Sequence, residues 1–289
     1  MKFLICGISG QFGSILTHRV SNFIGLSHNR KNQIFNGSIF WDFKDFEFLK
    51  FALKGQKIDC LIYCTSFHAP NMTLNDQLNS ETSYQVNVKA FKEIISIIRG
   101  EQELSVVYFG SSQLYSLVKV DDPIYADRNF SPSTQYGSDK AKAIEWLEEI
   151  SCCEIKSYIP ICCNHLSKYR KPPYLIPSIF SNLKRGEKEI SVHNSLARVD
   201  LGSAEILCLK LIEMIGKRKM GRYVFGRGKS YSVQQIFDGI CSVMNLEATL
   251  HSHSTECTEN AIACNNHIKW VNTGTYSLEA LLKEVYLHV

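Results

Sequence analysis

Tyr136 and Lys140 stand four residues apart in the run YGSDK, a spacing of about one helical turn. Side chains so spaced share a helix face, which sets a phenol beside an ammonium. A neighbouring positive charge favours the phenolate and draws the tyrosine toward the range where it exchanges a proton at neutral pH. Ahead of this pair, Ser111 and Ser112 directly follow the apolar run that ends in Gly110, within VVYFGSSQLYS. A hydroxyl there can hold a carbonyl or alcohol oxygen beside the phenol. Taken alone, Tyr-x-x-x-Lys is also what an exposed helix face carries. Its place after a glycine turn and a serine-ended strand favours the chemical reading.

The glycine turn opens the chain. Met1 to Gly13 reads MKFLICGISGQFG, with Phe3, Leu4 and Ile5 in a strand-like run and Phe12, Ile15, Leu16 and Val20 at helical spacing behind it. A buried strand that feeds a glycine turn and then a helix directs backbone N–H groups at a helix N-terminus, where they hold the pyrophosphate of a dinucleotide. Gly7 permits the tight turn, Gly10 the close approach of phosphate and Gly13 the close crossing of helix on strand, with Gln11 and Phe12 inside the same loop. The spacing is GxxGxxG and not GxGxxG, and a plain strand-to-helix turn has the same glycines.

These groups need a frame, and the first half of the chain alternates strand-like with helix-like segments. Strands are predicted over 22–26, 59–65, 104–110 and 154–159, and helices over 46–53, 82–98 and 134–150. Parallel strands need such crossovers, so the pattern predicts an α/β fold with a doubly wound parallel sheet. Ligand then belongs at the carboxyl ends of the strands.

The chain has 289 residues, 45% hydrophobic and 21% charged, enough for one or two globular domains. A net charge of +4 with scattered basic pairs, such as Lys184-Arg185 and Arg218-Lys219, points to neither a nucleic-acid nor a membrane partner. No apolar stretch has the length of a membrane span, and the chain enters a strand at once, so it reads as cytoplasmic. Eleven cysteines, several inside apolar runs (Cys6, Cys60, Cys64, Cys162, Cys163, Cys208), read as small hydrophobes and not as a disulfide framework. His251-x-His253 with Cys257, Cys264 and His267 is the one metal candidate, but without a Cys-x-x-Cys knuckle it reads as a polar surface strand and loop, and no metal is expected. Gly226-x-Gly228-Lys229-Ser230 fails as a phosphate loop, because Tyr223 occupies the place of the upstream glycine.

Together GISGQFG, WDFKD (41–45), YQVNVKAF (84–91), VVYFGSSQLYS (106–116), YGSDK (136–140) and RYVFGRGKSYSVQQIFDGI (222–240) resemble the extended short-chain dehydrogenase/reductases. That superfamily includes nucleotide-sugar epimerases, dehydratases and reductases of carbohydrate biosynthesis. The resemblance implies a Rossmann-type domain over 1–161, to which 220–245 return, and a smaller substrate lobe over 162–289. It implies Tyr136 as acid/base, Lys140 as its modifier and a ribose contact, and Ser111 as the substrate-positioning hydroxyl, with Ser112 and Gln113 also at the substrate. Asn87 takes the place of an asparagine that supports the sheet. The cofactor contacts it implies are Gly7, Gly10, Gln11, Phe12 and Gly13, then Asp42 and Phe43 near adenine, Thr65 and Ser66 over the cofactor, Pro160 and Ile161 at the nicotinamide, and Tyr136 beside Lys140.

The second strand ends Leu26-Ser27-His28-Asn29-Arg30 without an acidic residue for the ribose 2′-hydroxyl, so Arg30 or His28 favours NADP over NAD, unless Arg30-Lys31 is only a solvated turn. In related dehydratases an Asp-Glu pair follows the Ser; here Ser112-Gln113 cannot perform that elimination. GISGQFG and LGSAEIL (201–207) look similar to dTDP-4-dehydrorhamnose reductases, which implies reduction of a 4-keto sugar on a nucleotide, hydride and proton being delivered separately. A 4-epimerase uses the same Ser, Tyr and Lys, and a non-catalytic dinucleotide sensor is the remaining alternative. Arg198 and Lys184 are either diphosphate contacts or exposed basic side chains. A homodimer through the helices at 82–98 and 134–150 is expected from the resemblance, with Ala143, Ile144 and Leu147 facing a partner or covering the sheet.

Overall fold

In the computed structural model, which describes residues 1–28, 38–68, 77–115, 123–254, 262–265, 267–274 and 277–286, the chain forms two units. The first comprises Met1–Ser116, Asn129–Ile161 and Cys208–Tyr223, the second Leu117–Arg128, Cys162–Leu207 and Val224–Val289. The first unit begins with β1 (Phe3–Cys6), α1 (Gln11–Thr17), β2 (Phe23–Ser27), β3 (Ser38–Phe40), α2 (Phe46–Ala52) and β4 (Cys60–Tyr63). There follow α3 (Gln77–Tyr84), a π-helical turn (Gln85–Lys89), α4 (Ala90–Ile98), β5 (Leu104–Tyr108), β6 (Gly110–Ser111), a 3₁₀ turn (Ser112–Leu114), α5 (Gln135–Glu149) and β7 (Ile155–Cys162).

All adjacent strands in the order β3-β2-β1-β4-β5-β7 run parallel. The register stacks Leu4 between Ile24 and Leu61, and Leu61 against Val106. Leu4, Ile5, Leu61, Ile62, Val106 and Val107 have no exposed surface, which explains the near-continuous apolar runs: a parallel sheet is covered on both faces. The edge strand β3 escaped the sequence reading because three residues carry no periodicity. The predicted helix over 82–98 is interrupted by the π turn, which contains Asn87.

Ala143, Ile144 and Leu147 are fully buried within the single chain, so of the two expectations for them the structure selects covering their own unit.

In the second unit β8 (Asn164–Leu166), α6 (Leu175–Lys184), β9 (Glu189–Asn194) and β10 (Arg198–Ser203) come first. Then α7 (Ala204–Gly216) passes into the first unit, where Cys208 Sγ donates to the Phe12 carbonyl. After β11 (Gly221–Gly226) come β12 (Ser230–Ser232), α8 (Val233–Met244), β13 (Thr249–Ser254), β14 (Trp270–Asn272) and α9 (Leu278–Tyr286). The chain passes from the first unit to the second at Ile161 and Cys162, and the differences from the expected division lie elsewhere. Residues 208–223 belong with the first unit, and α8 belongs with the second. The reason for α8 is its apolar face: Ile236, Phe237 and Ile240 pack in one core with Ile179, Phe180, Leu281, Leu282 and Val285. A capping box starts that helix, Ser232 Oγ accepting from the Gln235 N–H and Gln235 Oε1 from the Ser232 N–H.

Two buried polar side chains tie this unit together. The Asp200 carboxylate accepts the backbone N–H groups of Arg227, Gly228 and Ala263, although its burial raises its pKa. His165 lies between the Cys163 carbonyl, 3.0 Å from Nδ1, and the Thr273 hydroxyl, 3.1 Å from Nε2. A carbonyl only accepts, so Nδ1 carries the proton and Nε2 accepts from Thr273. Burial pushes the imidazole pKa down from 6.5 to about 4. Between these two values the unfolded chain binds the extra proton and the folded one does not, so stability falls as pH falls. Urea unfolding of the protein is expected to lose about 2 kcal/mol between pH 7 and pH 5 through this residue. His165→Asn, which cannot titrate, is expected to lose that much less over the same interval; equal losses would remove His165 from the account.

Candidate active site

The glycine loop follows from steric necessity. Gly7 has φ +93°, its N–H donates to Leu26, and a Cβ on it would lie 2.9 Å from the Thr65 nitrogen. Thr65 is thereby packed against the loop, with the exposed Ser66 next to it. Gly10 donates to the Gly7 carbonyl and caps α1 without any side chain over the helix end. At Gly13 a Cβ would stand 2.1 Å from the Gly7 oxygen, so only glycine lets α1 cross β1 this closely. Gln11 starts the helix, and the Phe12 ring lies 4.7 Å from that of Phe109. The three glycines form a cradle that side chains would fill, which fits a pyrophosphate.

Asp42 and Phe43 form a turn beyond β3. One Asp42 oxygen accepts the N–H groups of Lys44 and Asp45, and these hold its carboxyl below the ordinary value. Phe43 has φ +66°, its carbonyl accepts from Gln85 Nε2 at 2.6 Å, and its ring lies 5.7 Å from the His28 ring. Arg30 lies outside the described residues.

The residues with chemical potential gather at the ends of β4 and β5 and on the first turns of α5. Ser111 caps the 3₁₀ turn, its Oγ accepting the Gln113 N–H at 3.2 Å. The Gln113 amide spans two partners: Nε2 stands 3.2 Å from His68 Nε2, and Oε1 accepts the Thr134 hydroxyl. The Tyr136 ring stands edge-on to His68 at 4.8 Å. Lys140 is 1% exposed, so its ammonium is withdrawn from water. It donates to the Phe109 carbonyl at 3.0 Å, 4.4 Å from the Tyr108 ring centre and 5.8 Å from that of Tyr136. The spacing read from the sequence thus places both side chains in one neighbourhood. Pro160 and Ile161 lie within β7, and Ile161 packs beside Gly110.

Three supports surround these residues, of which the sequence pointed only to Asn87. Thr134 caps α5 by accepting the Gly137 N–H. A Cβ on Gly137 would lie 2.1 Å from the Gln113 carbonyl oxygen, so α5 presses directly on the turn that holds Ser111. Gly137→Ala is expected to cost about 1–3 kcal/mol of stability and to lower turnover more than cofactor affinity, measured by thermal unfolding and kinetics. Finally, the buried Asp139 accepts from Ser83 Oγ and Gln135 Nε2, Ser83 accepts from Asn87, and Asn87 bonds both backbone groups of Phe67. That chain of hydrogen bonds fixes the segment carrying Thr65 to His68. Asn87 sits in the π turn, a distortion common at functional sites. The only signal for it in the sequence is the Asn within an apolar helix.

Cys64 beside this segment is no nucleophile: burial pushes its thiol up to about 12, and Sγ donates to the Cys6 carbonyl. In the second unit, Arg198 donates twice to Ser230, and Lys184 lies 5.2 Å over the Tyr286 ring. Of the metal candidates, His251 and His253 lie on β13, His267 pairs with Asp127 at 3.5 Å, and Cys257 lies outside the described residues. Among the described residues no three His, Cys, Asp or Glu side chains converge on one point. No helix there is long and apolar enough to cross a membrane.

A parallel sheet in this strand order, with a glycine cradle between β1 and α1, is a Rossmann-type α/β fold. The chain belongs to the NAD dependent epimerase/dehydratase family, whose model matches residues 3–224. Its fold is shared by a UDP-N-acetylglucosamine 4-epimerase from Methanobrevibacter ruminantium in complex with UDP-N-acetylmuramic acid, at TM-score 0.82, 16% identity and coverage of 99% of this chain and 97% of that one. A UDP-glucose 4-epimerase from Thermus thermophilus in complex with NAD gives TM-score 0.82, 12% identity and coverage of 100% and 98%. RMD from Pseudomonas aeruginosa with NADPH gives 0.81, 13%, 100% and 98%. No curated protein matches the chain in sequence.

Proposed function

We propose that this protein is an NAD(P)-dependent oxidoreductase that reduces a 4-keto sugar linked to a nucleotide. The observation that carries the reading is the buried Lys140 ammonium within 5.8 Å of the Tyr136 ring, beside the turn that Ser111 caps. When bound, the nicotinamide supplies the hydride. The chain's own groups supply the rest. Tyr136 holds and moves the proton at its phenol oxygen, Lys140 favours the phenolate after that proton has left, and Ser111 orients the sugar oxygen. Gly7, Gly10, Gln11, Phe12 and Gly13 would hold the pyrophosphate, Asp42 and Phe43 the adenine side, Thr65 and Ser66 the face of the cofactor, and Pro160 and Ile161 the nicotinamide. Gln113, a neutral amide engaged by His68 and Thr134, takes no part in an acid–base elimination, which speaks against dehydration.

NADP is preferred within this reading because β2 ends in Ser27, followed by His28, without a carboxylate for a ribose hydroxyl. Measured dissociation constants for NADPH and NADH test that choice. Pairing of two copies along α4 and α5 belongs to the same reading, and sedimentation velocity tests it.

The second reading, a 4-epimerase with tightly bound NAD, is favoured by the two epimerases that share the fold. Incubating the purified protein with NADPH and a panel of nucleotide-linked 4-keto sugars, and separately with nucleotide sugars that carry a C4 hydroxyl, distinguishes the outcomes. Stoichiometric NADPH oxidation is expected. Interconversion of sugars without net oxidation would replace the reductase by the epimerase, and binding without turnover would replace both by a sensor.

A further inference from the structure

We propose that the exposed face of the two-stranded sheet β9–β13 is a binding site for a first-row transition ion that prefers imidazole, such as Zn²⁺ or Ni²⁺, with His193, His251 and His253 as ligands. The two strands run parallel, pairing Ser191 with His251, Val192 with Ser252 and Asn194 with Ser254. The last two pairs leave His193 opposite His253. Ile190 and Val192 are buried, so the alternation of the strand turns Glu189, Ser191 and His193 outward. His251 and His253 are exposed on the neighbouring strand, as is Ser252 between them, and the pairing with β9 puts the two histidines on the outward face. Three imidazoles therefore share one face, two directly across a strand gap of about 4.8 Å and the third about 6.6 Å along the strand.

Neutral imidazole is a ligand for zinc, nickel and copper, at metal–nitrogen distances of about 2.0–2.1 Å for zinc. The rings do not converge as they stand, and closing them on an ion takes rotation of exposed side chains, which change rotamer within nanoseconds. Glu189 Oε2 lies 3.8 Å from His251 Nε2, and a carboxylate beside a ligating histidine orients the ring and raises its basicity. An ion held from both strands would clamp a sheet that two strands alone hold weakly. The sequence pointed to His251 and His253 but paired them with Cys257, Cys264 and His267; the register supplies His193 from a different part of the chain.

The test is a calorimetric titration of the full-length protein with Ni²⁺, together with thermal unfolding in its presence. One saturable site is expected, weakened at least about tenfold by His193→Ala and by His253→Ala and unchanged by Cys257→Ser. Ni²⁺ is expected to raise the unfolding temperature of the wild type and not of the double His193→Ala, His253→Ala variant, since only a ligand of the folded state stabilises it. No saturable binding, binding indifferent to His193→Ala, or binding lost with Cys257→Ser would each overturn the site.

Discussion

Tyr136→Phe is expected to lower turnover of the 4-keto sugar by about two to four orders of magnitude, the usual contribution of a positioned acid or base. The substitution deletes one oxygen and leaves the ring edge-on to His68, with the buried Lys140 below. Thermal stability and the NADPH dissociation constant are therefore expected to stay close to the wild type. The loss belongs to kcat and kcat/KM together, the pattern of an interaction made only in the transition state. Unchanged kcat in this variant would take the acid/base role away from Tyr136. An equal loss of cofactor binding would make the phenol a cofactor ligand.

Gly13→Ala carries the second large effect, on the loop and not on the chemistry. The new methyl meets the Gly7 oxygen at 2.1 Å and the Ile8 Cα at 2.7 Å, both backbone atoms that cannot turn aside. Either α1 shifts away from β1 or the loop unwinds. A destabilisation of about 3 kcal/mol or more is expected, at the upper end of overpacking, with NADPH affinity lost along with it. Gly100→Ala is the control: nothing lies within 4 Å of its position, and a change within about 0.5 kcal/mol is expected. Gly10→Ala falls between, because its Cβ would lie 3.3 Å from the Gly7 oxygen. Thermal unfolding and fluorescence titration with NADPH order the three. A stable Gly13→Ala protein with wild-type affinity would mean that the cofactor is not held by this loop.

What could be read before the fold was known is what is written locally. Apolar runs of four or five residues became β1, β4 and β5 because a parallel sheet buries every residue of such a run. The step of four from Tyr136 to Lys140 sets a helix face whatever surrounds it. The glycines at 7, 10 and 13 are required by contacts among residues within one turn of chain, apart from Thr65. The short edge strand β3 and the π turn at Asn87 had no such local signature, the first for want of length and the second because one inserted residue hardly disturbs a helical period.

By itself, then, the sequence determined the main strands and helices of the first half of the chain, the glycine cradle and the pairing of a phenol with an ammonium, all of which depend on neighbours a few residues away. Only the tertiary structure decided that Lys140 is withdrawn from water, that Gln113 is engaged by His68 and Thr134, and that α8 packs with α9 while most of α7 belongs to the first unit. It alone set His193 opposite His253, sixty positions further on. The physical reason is that burial and cross-strand register arise from segments far apart in the chain, and periodicity carries no information about which of them will meet.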